Sequence, residues 1–440
     1  MFKLKRVKEL LTVFFLITLL MGCAPVSFAK TPPTFPLESI GDAPNFANEE
    51  PKEWTMIQYH DADNDLGRYA YSDLLEMMIT GSNENVNLVV LYDTYGAPPS
   101  SYYIEKGGAL LIEAYPEEVD MGDPTVLTEF IKMAMENYPA KKYLLNIWDH
   151  GDDFLGSCRD YHKGPGQLEG EHGFLFQTEL LSAIQEHIAS TGKLDILCFD
   201  ACIESMIEVA YDYRLDVSYL VASEDYVPYW GLPYDTILKD LEANPTADAG
   251  WVSRKIVNDY MEEYLKPNGN GALNSGGGSF PTYSAIDLKQ TDSFVTNLET
   301  IATKLSSNVK TYKGMISSAR AKAILNMPIT GWDADIDLYT FVDKVSSVSQ
   351  ETGFQDAVNG IKSAWIGEDA FIYTKCCDQY AAKSAYGLGI YFPPSRGCLI
   401  HNTLTDAEYY FGQDSSGEAN VPFASTEWGN FLKTYFDLQP

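Results

Sequence analysis

The chain has 440 residues, 45% hydrophobic, 13% aromatic and 21% charged, a composition that fills a sizeable core and excludes wholesale disorder. Thirty-one lysines and arginines stand against 62 aspartates and glutamates, a net charge of −31. That acid excess repels phosphate backbones and excludes sequence-independent nucleic-acid binding.

Residues 1–22 combine a basic start with an apolar run from Leu10 to Leu20. This is a signal-peptide pattern, too short for an ordinary membrane-spanning helix. The run ends in Leu20-Met21-Gly22-Cys23, which resembles a bacterial lipobox. The expectation is an exported lipoprotein, lipidated at Cys23 and held at a membrane or cell surface. The proline-rich stretch from residue 24 to about 52 reads as a tether.

Beyond it, short apolar runs alternate with helical patterns. Expected strands are Trp54–Tyr59, Val86–Tyr92, Tyr143–Trp148, Leu194–Phe199, Tyr219–Ala222 and Leu388–Phe392. Most are continuous apolar runs, as strands buried on both faces of a parallel sheet require. One helix is expected from Asp123-Pro124, a capping acid followed by proline at the first helical position. Another is expected directly after Cys202, with Ile203, Met206, Ile207 and Ala210 on one face. Phe294, Leu298, Ile301 and Leu305 mark a long amphipathic helix. The alternation predicts an α/β fold, a mostly parallel sheet with helices on both faces. The glycine-rich break Pro267–Ser279 separates a core of residues 53–266 from a C-terminal, α-rich region, 280–440, packed on it. Leu388–Phe392 is apolar enough to be a central strand.

Two strand ends carry reactive side chains. One runs into Asp149-His150-Gly151, the other into Asp200-Ala201-Cys202. Ligands of open α/β sheets bind outside the carboxyl ends of strands. A thiol at a helix N-terminus beside an imidazole would favour the thiolate, and the imidazolium would protonate a leaving amine. Asp149 and His150 are strand neighbours and face opposite ways, so Asp149 is expected to be structural. No residue that orients His150 is evident.

The blocks WTMIQYHDADNDL (54–66), IWDHG (147–151), FDACIESMIEVAY (199–211) with YLVASEDYVP (219–228), and YGLGIYFP (386–393) together resemble the clostripain family of cysteine endopeptidases, relatives of caspases, gingipains and legumains. The resemblance implies a caspase-like fold with His150 and Cys202 as a catalytic dyad, and backbone N–H groups of Gly151 and Cys202 as the oxyanion hole. It implies peptide or protein substrates cut after Arg or Lys. Asp200 then serves as the pocket acid, with Glu224, Asp225 and Trp230 as further substrate-binding candidates. Trp230 stands where an acid is usual, which leaves an apolar specificity open. Self-activation would cut the Gly151–Gly173 segment after Arg159 or Lys163, its only lysine or arginine residues.

Asp61-x-Asp63-x-Asp65 is not an EF-hand, since Leu66 and Ser72 replace the required glycine and glutamate. These acids are expected to form a solvated loop or to cap a helix near Leu66. Zinc binding by Cys158, His162, Cys198 and Cys202 lacks paired spacing. No cofactor is expected, although calcium dependence occurs in the family. A disulfide would join Cys376 or Cys377 to Cys398. The rival reading is a non-catalytic surface binding lipoprotein on the same fold.

Overall fold

The computed structural model describes residues 36–162, 173–192, 194–266, 281–324, 334–367, 370–376, 385–394, 400–401, 404–405, 409–412 and 420–437. Cys23 and the signal segment, Lys163, Cys377, Cys398 and the break Pro267–Ser279 lie outside these residues.

Ten strands form the main sheet. They are β1 (Ser39–Asp42), β2 (Lys52–Ala62), β3 (Val86–Thr94), β4 (Ala97–Glu105), β5 (Gly108–Ala114), β6 (Ala140–Trp148), β7 (Leu194–Asp200), β8 (Val217–Ala222), β9 (Thr282–Asp287) and β10 (Ile372–Cys376). Their spatial order is β1-β5-β4-β3-β2-β6-β7-β8-β9-β10. The five central strands, β3 to β8, run parallel. Antiparallel pairings extend the sheet on both sides. All nine residues of β3 are buried, the reason its stretch Leu88–Tyr92 is continuously apolar rather than alternating.

Helices cover both faces. Against one lie α1 (Gly67–Thr80), α5 (Tyr234–Ala243) and α6 (Ala249–Leu265), packed on Met56, Leu88, Leu144, Trp148 and Ile196. Against the other lie α2 (Pro124–Asn137), α3 (Gln177–Thr191) and α4 (Ile207–Tyr213), packed on Ile57, Tyr59, Leu145, Ile147 and Phe199. As its sequence requires, α2 begins with Asp123 accepting from the Thr125 N–H and proline at the first helical position. The second face continues into the C-terminal helices α7 (Thr291–Ser307), α8 (Val309–Ala323), α9 (Leu338–Val345), α10 (Thr352–Ser363) and α11 (Glu427–Asp437).

Four sequence expectations change. The strand at Gly389–Tyr391 is buried but outside the main sheet, pairing with Asp335–Asp337. Its apolar character reflects packing between α4 and the C-terminal helices, which periodicity does not distinguish from a central strand. The tether is shorter than expected: from Ser39 the chain adds β1 alongside β5, and Phe46 packs edge-on against Tyr103 and Tyr138. Asp61 and Asp63 are fully buried rather than solvated. Neither they nor Asp65 caps α1, whose N-cap position is Leu66.

Candidate active site

Chain direction across the sheet reverses at β2 and β6. From β2 the chain moves to β3 on one side, and β6 and β7 build outward on the other. The crevice at such a switch point is where open α/β sheets bind ligands. Strand alternation sends Trp148 toward the α1 and α5 side, and two residues on His150 follows it. Asp200, the last residue of β7, and Cys202, in the turn that follows, repeat that spacing. All four residues line one cavity of about 60 Å³, together with Leu66 and Tyr229 among others. The Asp149 carboxylate is engaged elsewhere, accepting from Asn64 Nδ2 and the Arg159 N–H, a structural role.

Cys202 is not at a helix N-terminus. The helix begins at Ile207, after a turn, so the expected dipole assistance is absent. The turn is instead tied down by the backbone: Ile203 N–H donates to Asp225 O and Ser205 N–H to Ser223 O. It holds Ile203 at φ +63°, a left-handed conformation that costs a β-branched residue about 1–3 kcal/mol. Among the described residues the other two non-glycine residues with positive φ, Asp153 and Cys158, lie in the loop after His150. Strain is thus concentrated in the two loops that carry His150 and Cys202. Between them there is no room for a side chain at residue 151. A Cβ on Gly151 would sit 2.2 Å from the Cys202 carbonyl oxygen and 2.9 Å from its nitrogen.

Cys202 Sγ accepts from the Val227 N–H at 3.4 Å. Burial pushes the thiol up to about 12, opposed by that contact and reinforced by Asp225, Asp200 and Glu204. The resting sulfur is therefore a neutral thiol. His150 Nε2 lies 3.0 Å from Asp65 Oδ1, and Tyr161 donates its hydroxyl to the same oxygen. Burial alone would pull the imidazole down. The Asp65 hydrogen bond and the charges of Asp149 and Asp65 overcome it, and the net shift is upward. Asp65 is the orienting residue that the sequence did not reveal. It is 85 positions from His150, and no spacing rule connects them.

Asp200 forms the floor of the cavity. Its Oδ2 accepts from Leu232 N–H and Tyr234 Oη–H, and burial raises it to about 6. Gly231, at φ +56°, lets the backbone close on this carboxylate, since a Cβ there would meet Oδ2 at 2.5 Å. Behind it Asp73, buried and bonded by Trp148 Nε1–H, is raised by burial and then by Asp200. No described lysine or arginine pairs with either acid.

The remaining sequence candidates are placed elsewhere. Glu224 is buried away from the cavity, accepting from the Gly387 N–H beside Asp337. Asp225 is buried too, and its carbonyl holds the Cys202 turn. Neither is among the cavity-lining residues. Trp230 lies outside as well, edge-on to Tyr69, while Tyr229 stacks on Tyr69 and supplies the aromatic wall. The Gly151–Gly173 segment is not one exposed loop. Phe154, Leu155 and Cys158 belong to the core, and Gly156–Ser157 pairs with Leu175–Phe176. Arg159 is pinned, its N–H on Asp149, its carbonyl on Asn64 and its guanidinium on Asp152.

The model of the clostripain family, peptidase family C11, matches residues 58–435. The chain belongs to this family. Clostripain of Hathewaya histolytica is 27% identical over 318 residues, an alignment covering 61% of this chain and 59% of the relative. The match thus spans under two thirds of that relative's length. Two solved structures share the fold of this clostripain-family chain. A secreted C11 cysteine protease from Bacteroides thetaiotaomicron, in complex with an irreversible peptide inhibitor, superposes with a TM-score of 0.59 at 18% identity, covering 87% of this chain and 99% of the other. An inactive zymogen C11 protease from Parabacteroides distasonis gives 0.58 at 20% identity with the same coverage.

Proposed function

We propose that the protein is an exported cysteine endopeptidase that cuts after a basic residue, with Cys202 as nucleophile and His150 as its acid–base partner. The observation that carries this reading is the shared cavity, lined by thiol, imidazole and a buried carboxylate, Asp200, that pairs with no described lysine or arginine.

In this mechanism neutral His150 takes the proton of the Cys202 thiol as sulfur attacks the scissile carbonyl. Since burial disfavours the free thiolate, proton transfer accompanies attack. The imidazolium, held by Asp65, then protonates the leaving amine, and water hydrolyses the thioester with His150 again as base. Backbone N–H groups of Gly151 and Cys202 stabilise the developing oxyanion, a contribution typically of about 3–4 kcal/mol per donor. A lysine or arginine side chain passing Tyr229 brings its charge to Asp200, with Asp73 behind, and relieves the cost of burying those carboxylates without a cationic partner.

Processing after Lys163 is the favoured route to activation, because the bonds flanking Arg159 are held in the fold. The zymogen among the related structures is in keeping with such a step. Export with lipid attachment at Cys23 rests on the lipobox, with a secreted relative as support. No helix among the described residues is long and apolar enough to cross a membrane.

The test is a cleavage profile on a peptide library with the wild type and Cys202→Ala. Arginine or lysine should dominate the position before the cut, and Cys202→Ala should be inactive. Cleavage by Cys202→Ala, or a neutral preference, would overturn the assignment.

A further inference from the structure

Glu204 follows Cys202 by two residues, in the turn where Ile203 takes φ +63°. Its side chain is fully buried and is not among those lining the cavity. Its Oε2 accepts from Gln177 Nε2–H at 2.6 Å. The same amide nitrogen donates to the Asp153 carbonyl at 3.1 Å, and Gln177 Oε1 accepts the Tyr213 hydroxyl at 2.7 Å. Both amide hydrogens of Gln177 are therefore committed, and the Tyr213 hydroxyl fixes which way the amide points. The other oxygen, Glu204 Oε1, has no hydrogen-bond partner among the described residues. It stands against Gly151: a Cβ there would meet Oε1 at 2.9 Å, the distance at which it would also meet the Cys202 nitrogen.

A carboxylate held by one neutral amide is too costly to keep ionised in the interior. No cation answers it. Asp152, the nearest acid acting on Glu204, is itself taken by the Arg159 guanidinium. The other titratable groups that feel Glu204 are Cys202, Cys158 and Tyr213, and none of these is positive in either protonation state. Burial raises the Glu204 carboxyl well above the usual carboxylate range, opposed by the Gln177 amide and reinforced by Asp152. An ionised Glu204 would set a negative charge beside the Gly151 and Cys202 backbone donors and push the Cys202 thiol further up.

We infer that Glu204, kept as a neutral acid, is a positioning residue for the backbone donors of Gly151 and Cys202. Through Gln177 it ties the Cys202 turn to the His150 loop at Asp153 and to the start of α3, and its carboxyl fills the space against Gly151. The separation of the two donors is set in this way without any contact to substrate. The role depends on the proton, so ionisation at high pH opposes both thiolate and oxyanion. The inference rests on the cysteine-peptidase reading for what those donors do, whereas the neutral state of Glu204 does not depend on it.

The experiment compares the full-length wild type with Glu204→Gln and Glu204→Leu between about pH 6 and about pH 10. Two quantities are followed: kcat and KM on a basic peptide, and the rate at which iodoacetamide alkylates Cys202, a reaction of the thiolate. Mass spectrometry of the Cys202 peptide reads the second, with Cys202→Ala as blank. Glu204→Leu should lower kcat about tenfold or more with KM little changed, and Glu204→Gln should restore most of that loss. Alkylation of wild type and Glu204→Gln should coincide near about pH 6 and diverge as pH rises, the wild type falling behind. Three results would each overturn the inference. Glu204→Gln as slow as Glu204→Leu means that the charge is needed. A gap in alkylation already present at low pH means that Glu204 is ionised. Coincident alkylation throughout means that it does not act on the site. If Glu204→Leu does not fold, wild type against Glu204→Gln decides alone. A wild type that cuts no peptide overturns the peptidase reading instead, and the alkylation profiles still decide for or against a neutral Glu204 beside Cys202.

Discussion

His150 meets Asp65 across 85 positions of sequence, Nε2 to Oδ1 at 3.0 Å. The contact joins the loop after β2 to the end of β6 and fixes one ring nitrogen of the imidazole. It is the interaction that most raises His150.

Replacing Asp65 by Asn should therefore act on both rate and pH profile. Loss of the carboxylate lowers the His150 pKa, and neutral imidazole is the form that accepts the thiol proton. The acid limb of kcat/KM should move to lower pH while kcat falls by about one to two orders of magnitude. A purely structural Asp65 would change stability and leave the acid limb in place.

Asp200→Asn should weaken cleavage of basic substrates far more than of neutral ones, because a desolvated charge pair is typically worth about 2–5 kcal/mol. Glu224→Gln, by contrast, should leave the preference intact, since Glu224 is committed to the Gly387 backbone. Comparing kcat/KM on matched peptides separates the two acids.

Gly151→Ala should depress kcat by about 100-fold or more. Its Cβ would push the Cys202 carbonyl away, misplacing both backbone donors. Circular dichroism should show an intact fold, and active-site titration a shortfall in reactive thiol.

Lys163→Gln should block processing, whereas Arg159→Gln should not. Mass spectrometry of both purified variants reads the cut directly. Cys202→Ala protein should stay uncut until active enzyme is added.

Stability should fall as pH rises. Buried Glu208 is raised by burial from 4.5 to about 7, so it folds as the protonated acid. A raised folded pKa gives stability that is complete below the unfolded value and is lost as pH climbs through the folded one. For Glu208 the window runs from about pH 4.5 to 7, worth at most about 3 kcal/mol. Thermal melts should show Glu208→Gln gaining on the wild type at pH 8 relative to pH 5.

Much of this protein was legible before folding. The β-rich runs identified the central parallel strands, because strands buried on both faces must be continuously apolar. Period-two alternation separated His150 from Asp149, whereas Asp200 was singled out only by the family resemblance. Asp123-Pro124 marked a helix start from local backbone chemistry alone. Strands β4, β5, β9 and β10 escaped notice, because antiparallel additions with mixed composition carry a weaker pattern. The helix expected at Cys202 starts at Ile207, since tertiary hydrogen bonds hold the intervening turn against helix propensity.

The sequence by itself determined the α/β class and which side chains could carry the chemistry, properties written in local pattern and residue type. Only the tertiary structure decided which acids serve that site. Asp200 reaches the cavity and Glu224 does not. Asp65 takes the histidine, while Asp61 and Asp93 are brought side by side in the interior. These outcomes depend on strand register and on loops closing across 32 to 163 residues, and no local signal encodes such distances.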